Sequence, residues 1–405
     1  MRYLPLMLLL IALSIVALPA IYLYILALAS LRQPSKPVKN RRPRHRFAIA
    51  IPAHNEASVI GATVQRLQAL NYPPDLFRVY VVADHCSDTT AALARRAGAV
   101  VHERNQGPRT GKGAALSWLF QRILDDGWDA VVVFDADTQV DAQFLRVMDG
   151  RLVHGARVIQ GQHVISNAES GWFPALTWAM FLIDNRFQNL GRSNLGGSAK
   201  HMGDSICLRA DVLRQVGWGA GLTEDYQLRQ RLLLAGVRIV YEPAAVGYGE
   251  APRTLTQARA QRARWLRGTR DASSQFGRRL LVEALRRRDM ALLDGALQAY
   301  LPSYSTLSVI AIGLTLLHLA LNGVLGLIFP VRISIPWSVI GAWSGLSGLL
   351  FIYPLLGLTL ERAPLRAYLA IATGPFFILW RTWLAVAARF GRRPVRWVRT
   401  AHGGQ

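Results

Sequence analysis

The chain has 405 residues, a net charge of +22 and 51% hydrophobic residues. Only four lysines contribute, so arginine, whose planar fork matches phosphate oxygens, carries nearly all of the positive charge. Two cysteines, Cys86 and Cys207, exclude a disulfide framework, and the hydrophobic content favours a membrane protein. Nucleic acid, an anionic membrane surface and a nucleotide substrate are the partners that this charge permits.

The N-terminal segment 1–31 is predicted to be a transmembrane helix. Residues 3–31 are almost wholly apolar and uncharged, and a helix of that length exceeds a hydrocarbon core of ~30 Å. A cleaved signal peptide is the alternative, but its apolar region spans only ~7–15 residues. Segment 32–46 then carries seven basic residues and no acid, which predicts a cytoplasmic linker and an external N-terminus.

Segment 47–252 has the pattern of an α/β domain. Short apolar or β-branched runs predict strands at 47–51, 78–82, 100–101, 130–134 and 158–162. Amphipathic stretches between them predict helices at 57–70, 88–97, 113–125 and 141–150. Strands that alternate with helices predict a parallel sheet with helices on both faces.

The last third of the chain is predicted to meet the membrane. Eleven arginines between positions 253 and 288 are mixed with apolar residues, so segment 253–298 is interpreted as amphipathic helices on an anionic membrane face. A solvated helix face is the alternative. Region 299–390 contains two or three membrane segments, at 300–329, 336–360 and 365–388. The third is predicted to be re-entrant or interfacial if the basic tail, 391–405, is cytoplasmic.

Polar residues follow the first two predicted strands. Pro52, His54, Asn55 and Glu56 end the first strand, and Asp84 ends the second. Ligands of open α/β sheets bind at the carboxyl ends of strands, so these residues are candidate nucleotide ligands. Asp84 can accept a hydrogen bond from a base N–H. The alternative is a strand-to-helix turn in which Asn55 or Glu56 caps the helix.

Lys112 lies between two glycines before a predicted helix. The surrounding sequence lacks the spacing of a P-loop, and Gly113 stands where a serine or threonine is required. A P-loop ATPase is therefore excluded. The lysine can still approach a diphosphate or a base-binding loop.

The fourth predicted strand runs into Asp135-Ala136-Asp137. Alternate residues of an extended segment share a face, and two carboxylates there repel each other unless a cation or donor compensates them. Mg²⁺ or Mn²⁺ fits, because these ions bind one or two carboxylates together with substrate phosphates. Asp137 and Asp135 are the candidate metal ligands.

Two later motifs are candidate catalytic groups. Thr223-Glu224-Asp225 follows a glycine-rich stretch and opens a predicted helix, where a carboxylate could act as general base or simply cap the helix. Gln261, Arg264 and Trp265 share one helix face and offer an amide, a guanidinium and an aromatic ring. They could hold a diphosphate and stack on a sugar or acceptor, although amphipathicity alone would explain Trp265.

In this order the motifs resemble those of membrane-integrated family 2 glycosyltransferases, the superfamily of cellulose, chitin and hyaluronan synthases. The resemblance runs from about Phe47 to Trp265. It is nearest to the exopolysaccharide-synthesis, methanolan-type subgroup. The closer match lies in Val82-Ala83-Asp84-His85-Cys86-Ser87-Asp88, Val133-Phe134-Asp135-Ala136-Asp137 and Leu190-Gly191-Arg192-Ser193-Asn194-Leu195-Gly196.

The resemblance implies a GT-A fold and an inverting transfer from a nucleotide-diphosphate sugar, usually UDP-linked. It implies that Asp84 holds uracil, that Asp137 holds the metal and that Asp135 lies near the nucleotide. Asp225 would be the base, and Gln261, Arg264 and Trp265 would close over the diphosphate. The stretch Gly203-Asp204-Ser205-Ile206-Cys207 departs from the small, threonine-containing sequence expected there.

The sequence thus predicts a hexosyl- or N-acetylhexosaminyltransferase of the bacterial inner membrane, multi-pass, with its catalytic domain in the cytoplasm. The acceptor is a growing polysaccharide, as in exopolysaccharide synthesis, or alternatively a lipid or polyprenyl-linked sugar. Membrane lipids and export or polymer-synthesis proteins are further expected partners, and nucleic acid is not. An inactive nucleotide-binding regulator is the weaker alternative, because all of the motifs are present.

Overall fold

The computed structural model describes residues 4–32, 42–219, 221, 223–323 and 336–390. Most of the predicted basic linker and the whole predicted tail, 391–405, lie outside the described residues. The described strands are β1 Phe47–Ala53, β2 Phe77–Asp84, β3 Val100–Arg104, β4 Ala130–Val133, β5 Gln139–Val140, β6 Val158–Ile165, β7 Ile206–Arg209 and β8 Ile239–Gly249.

The described helices begin with an apolar N-terminal helix and end with the apolar helices of the C-terminal region, which we call the membrane-type helices. In the first half they are α1 Leu4–Ala29, α2 Ile60–Gln68, α3 Thr90–Arg96, α4 Lys112–Ile123, α5 Phe144–Val153, α6 Trp172–Ile183 and α7 Gly191–Asn194. In the second half they are α8 Ala210–Val216, α9 Glu224–Leu234, α10 Leu255–Arg287, α11 Met290–Tyr300, α12 Tyr304–Gly323, α13 Trp337–Leu360, α14 Leu365–Ala372 and α15 Gly374–Phe390.

The eight strands form one mixed sheet in the order β3-β2-β1-β4-β7-β6-β8-β5. The first four strands are parallel, with Phe47 opposite Phe77 on one side and Ala130 on the other. The prediction of a parallel sheet is wrong for β7 and β5, which run antiparallel to their neighbours. The reason lies in the connections: β7 follows a long helical excursion, α6 to α7, and does not come after a simple crossover helix.

Helices cover both faces of the sheet, as predicted. One core packs α2, α3 and α5 against the strands, and the other packs α4, α8 and α9 against the opposite face. Every residue of β4 is buried. Because strands covered on both faces need apolar side chains throughout, β4 has the sequence Ala-Val-Val-Val, and its polar residues begin where the strand ends.

A helix that was not predicted from the sequence joins the sheet to the apolar helices α1 and α14. It consists of α6, a π-helical segment at Asp184–Leu190, and α7. Its first part packs against α14 and its last part against α1. At Gly191, a Cβ atom would lie 2.3 Å from the carbonyl oxygen of Leu26. Only glycine permits this approach of the two backbones, so Gly191 fixes α1 beside the catalytic domain.

A buried charge network also connects these parts. Asp294 of α11 accepts hydrogen bonds from Arg192 Nε of α7 at 3.0 Å and from Arg229 Nη2 of α9 at 2.9 Å. The hydroxyl of Tyr22, from α1, donates to the same carboxylate. Buried charges require such pairing to offset their desolvation. One carboxylate therefore ties the N-terminal helix to α9, the helix that begins at Glu224.

Among the described residues, three helices are long and apolar enough to cross a membrane: Ile11–Ala29, Tyr304–Gly323 and Trp337–Leu360. They indicate that the chain associates with a membrane. The predicted segment 365–388 is not one straight helix, because α14 and the start of α15 meet at a 45° bend. The arginine-rich segment forms a single helix of 33 residues, α10. This helix begins with a capping box formed by Thr254 and Gln257.

Candidate active site

A cavity of about 250 Å³ lies at the carboxyl ends of β1, β2 and β4, beside the first turn of α9 and the second and third turns of α10. Twelve of the thirteen residues predicted from the sequence line it. They are Pro52, His54, Glu56, Asp84, Lys112, Asp135, Asp137, Glu224, Asp225, Gln261, Arg264 and Trp265. Residues from five separate elements are therefore brought to one place.

Asn55 is the exception, since it is not among the described residues that line the cavity. Its side-chain oxygen accepts a hydrogen bond from Ser87 N at 2.8 Å, and its amide donates to Ser87 Oγ at 3.1 Å. Its φ of 56° places it in the left-handed region that asparagine tolerates. Asn55 therefore joins the loop after β1 to the loop after β2, which differs from the predicted role in nucleotide binding.

Asp84 is held rigidly at one end of the cavity. Its Oδ1 accepts hydrogen bonds from Arg104 Nη1 and from the ring of His85 at 2.9 Å. The ring of His54 lies 2.7 Å from the backbone oxygen of Asp84. These contacts fix the orientation of a buried carboxylate, as recognition of a base edge would require.

The first carboxylate of Asp135-Ala136-Asp137 is paired with a lysine. Lys112 Nζ forms an ion pair with Asp135 and donates to the carbonyl oxygen of Gly203 at 2.6 Å. Burial lowers the pKa of Lys112, but the negative charges of Asp135 and Glu224 raise it by a larger amount. The pKa of Lys112 therefore lies above the usual value for lysine. Lys112 is therefore charged and already compensates Asp135.

The donor set at this point suits a divalent cation only in company with a substrate. In the parts of the chain that the structure describes, no cluster of three or more His, Cys, Asp or Glu side chains is arranged to hold a metal. Asp137 lines the cavity beside the compensated Asp135. Mg²⁺ and Mn²⁺ commonly take one or two carboxylates and complete their shell with phosphate oxygens and water. The residues present fit that arrangement, in which Asp137 would be a ligand.

Glu224 and Asp225 lie at the N-terminus of α9, and both have raised pKa values. Burial and the neighbouring Asp225 raise the pKa of Glu224 to about 7. Burial also raises the pKa of Asp225, although Tyr226 N, which donates to Oδ1 at 2.8 Å, opposes the shift. A carboxylate whose pKa is moved toward neutrality is better suited to accept a proton.

Helix α10 forms the opposite wall with Gln261, Arg264 and Trp265. It also contributes Arg262, which the sequence analysis did not select. The guanidinium of Arg262 lies 4.7 Å from the ring centroid of Trp265 and 5.6 Å from that of Phe377 in α15. The wall is therefore continuous with the membrane-type helices.

His163 and Asp204 also line the cavity and were not predicted as site residues. His163 Nδ1 lies 2.7 Å from Asp204 Oδ1, and Asp204 Oδ2 accepts a hydrogen bond from Thr138 at 2.9 Å. Burial lowers the pKa of His163, but Asp204 more than offsets this, so the pKa is raised. Two signals could have located them: the unusual stretch around Asp204, and the position of His163 just beyond a predicted strand end.

Comparison with known proteins agrees with this geometry. Residues 43–268, more than half of the chain, match the family model described as glycosyltransferase like family 2. The probable glycosyltransferase YdaM of Bacillus subtilis is 26% identical over 59% of this chain, which spans only 58% of that relative. A beta-monoglucosyldiacylglycerol synthase of Synechocystis is 28% identical over 89% of this chain and 76% of its own length.

A solved structure shares the fold. The mannosyltransferase PcManGT from Pyrobaculum calidifontis, in complex with GDP-Man and Mn²⁺, superposes with a TM-score of 0.56. The match covers 86% of this chain and 98% of that one at 18% identity. The mixed sheet, the cavity and the family match all lead to one conclusion. The chain belongs to glycosyltransferase family 2 and is a glycosyltransferase with a GT-A fold.

Proposed function

We propose that the chain transfers one sugar, with inversion, from a nucleotide-diphosphate sugar to a hydroxyl group of a membrane lipid. One observation carries the choice of acceptor. The cavity extends from the carboxylates after β4 to Thr177 of α6 and Arg262 of α10, and Arg262 lies against Phe377 of α15. Phe173, Leu176 and Phe377 form a buried apolar cluster there, and Phe376 and Trp383 of α15 are exposed beside it. A lipid could thus place its headgroup in the cavity and its chains along these helices.

The donor end of the cavity is the end near the strands. Asp84 is oriented to accept a hydrogen bond from the base, which a uracil N–H would satisfy. Asp137 would hold Mg²⁺ or Mn²⁺. When bound, such an ion would neutralise charge that develops on the departing diphosphate. Arg264 lines the same cavity and would contribute a further positive charge.

Asp225 is proposed as the general base. The acceptor oxygen forms a bond to the anomeric carbon as the bond from that carbon to the diphosphate oxygen breaks. The hydroxyl proton passes to Asp225, and the nucleoside diphosphate leaves with the bonding electrons. One displacement inverts the configuration at the anomeric carbon. Gln261 and Trp265 would orient the sugar and the acceptor.

A polysaccharide acceptor is the second candidate, and the methanolan-type motifs around Asp84, Asp137 and Gly191 favour it. The long match to a relative named as a glycolipid synthase favours the lipid instead. The seven basic residues in segment 32–46 support a catalytic domain on the cytoplasmic face of a bacterial inner membrane.

Product analysis distinguishes these acceptors. The full-length protein would be incubated with radiolabelled UDP-glucose, UDP-N-acetylglucosamine or GDP-mannose, Mn²⁺ or Mg²⁺, and bacterial lipids. A single labelled lipid that carries one added sugar is expected. A ladder of labelled polymer would support the polysaccharide acceptor and contradict our choice.

A further inference from the structure

Arg262 and Arg381 form a cationic site at the membrane end of the cavity. Arg262 is the second residue of the Gln261–Trp265 motif and lines the cavity. Arg381 of α15 lies one helical turn after Phe377, the ring that Arg262 covers. Arg381 Nη1 donates to Ser305 Oγ of α12 at 3.1 Å. Two guanidinium groups thus lie where α10, α12 and α15 come together.

The positive charge of this site is poorly compensated. Within the described residues, neither Arg262 nor Arg381 forms an ion pair, and the buried Nε of Arg262 lacks a hydrogen-bond partner. Asp184 is the acid that acts on both, and it is already bonded to Lys200 at 3.3 Å. Burial and Arg381 lower the pKa of Arg262 to about 10, which still leaves it charged at neutral pH. Both residues are half-buried, so an anion that reaches this site would compensate charge that no acid of the described residues pairs with.

We propose that Arg262 and Arg381 bind the phosphate group of an anionic lipid. That lipid is the acceptor, and it carries the hydroxyl group that receives the sugar. This inference rests on the proposed transfer to a lipid. Guanidinium groups bind phosphate oxygens through paired, charge-assisted hydrogen bonds. Phe376 and Trp383, which are exposed apolar residues of the same helix as Arg381, suit the lipid chains. A neutral diacylglycerol offers no group that would compensate the two arginines.

Lipid binding can be measured without catalysis. We would titrate the full-length protein in dodecyl maltoside with dioleoyl phosphatidic acid, dioleoylglycerol or inorganic phosphate, and measure binding by native mass spectrometry. The wild type is expected to bind phosphatidic acid more tightly than either of the other two. Equal binding of phosphatidic acid and dioleoylglycerol, or of phosphatidic acid and inorganic phosphate, would overturn the proposal.

The two arginines can be tested separately. Arg262→Gln and Arg381→Gln should each weaken binding of phosphatidic acid by ~10-fold or more, the loss of one charged hydrogen-bonded contact. Arg122→Gln is the matched control, because Arg122 also stacks on a tryptophan, Trp118, at 3.5 Å but lies outside the cavity. A cooperative thermal unfolding transition would show that each variant is folded. If Arg262→Gln does not fold, Arg381→Gln alone tests the site.

The same samples separate this inference from the proposed function. Wild-type binding of phosphatidic acid by both arginine variants would overturn the site, even if the protein glycosylates diacylglycerol. Loss of binding in both variants, but not in Arg122→Gln, would support the site. That support would stand even if no lipid product formed with any donor, a result that would instead contradict the proposed transfer.

Discussion

Lys112 and Asp135 form an ion pair at the point where α4 begins and β4 has just ended. The same ammonium group donates to the carbonyl oxygen of Gly203 at 2.6 Å. Asp135 and Asp137 are two positions apart and line one cavity, and the charge of Asp135 is compensated by this lysine. The two carboxylates should therefore contribute differently to metal binding.

Asp137→Asn should raise the Mn²⁺ concentration required for half-maximal sugar transfer more than Asp135→Asn does. Removal of a direct ligand weakens metal binding, whereas Asp135 is already compensated by Lys112. Titration of Mn²⁺ in a transfer assay, after treatment of the protein with EDTA, would measure this order. A greater effect of Asp135→Asn would show that Asp135 is the principal ligand and that the ion pair opens on donor binding.

His163→Gln should reduce the free energy of unfolding by about 2 kcal/mol near pH 6, because a charged hydrogen bond is lost and Asp204 stays buried. The effect should decline at higher pH. The pKa of His163 is raised in the folded state. Stabilisation from this proton is therefore complete below the unfolded value of about 6.5 and is lost as pH rises through the folded pKa.

Thermal unfolding between pH 6 and pH 9 would test this dependence. His154→Gln is a suitable control, since His154 is exposed and bonds only to a backbone oxygen, that of Gly150, in the described structure. The pKa of Asp204 is lowered, so its own contribution disappears only in acid. A destabilisation that is the same at pH 6 and pH 9 would show that His163 is neutral in the folded protein.

Gly191→Ala should destabilise the junction of α1 and α7 by ~1–3 kcal/mol, the usual cost of overpacking. The added Cβ would lie 2.3 Å from the backbone oxygen of Leu26, which cannot move as a side chain could. Gly61→Ala is the matched control, because a Cβ in α2 meets nothing within 4 Å. It should be neutral or stabilise by ~0.5–1 kcal/mol. Equal unfolding temperatures for the two variants would contradict the close packing.

Much of the site could be predicted because its residues follow strand ends. Asp84, Asp135 and Asp137 come directly after apolar runs, and a parallel arrangement brings such ends together. The sequence predicted the parallel half of the sheet for the same reason. The direction of β7 was not predictable from local pattern, since it depends on how the chain returns from α7.

The residues that were missed depend on tertiary contacts. His163 and Asp204 are 41 positions apart, and no local spacing indicates that they pair. The local sequence does not distinguish Arg262 from the other arginines of α10, because its contact with Phe377 of α15 forms only in the folded chain. The contact of Asn55 with Ser87 was not predicted either, because it joins two loops that are 32 positions apart.

Asp225→Asn tests the central claim most directly. An amide cannot accept the acceptor's proton, so the rate of sugar transfer should fall by at least ~100-fold, while donor binding, measured by equilibrium titration, stays near the wild-type value. In the wild type, the rate should also fall in acid at a pH above the ordinary aspartate range, because the pKa of Asp225 is raised. Transfer by Asp225→Asn at the wild-type rate would contradict the assignment of Asp225 as the base.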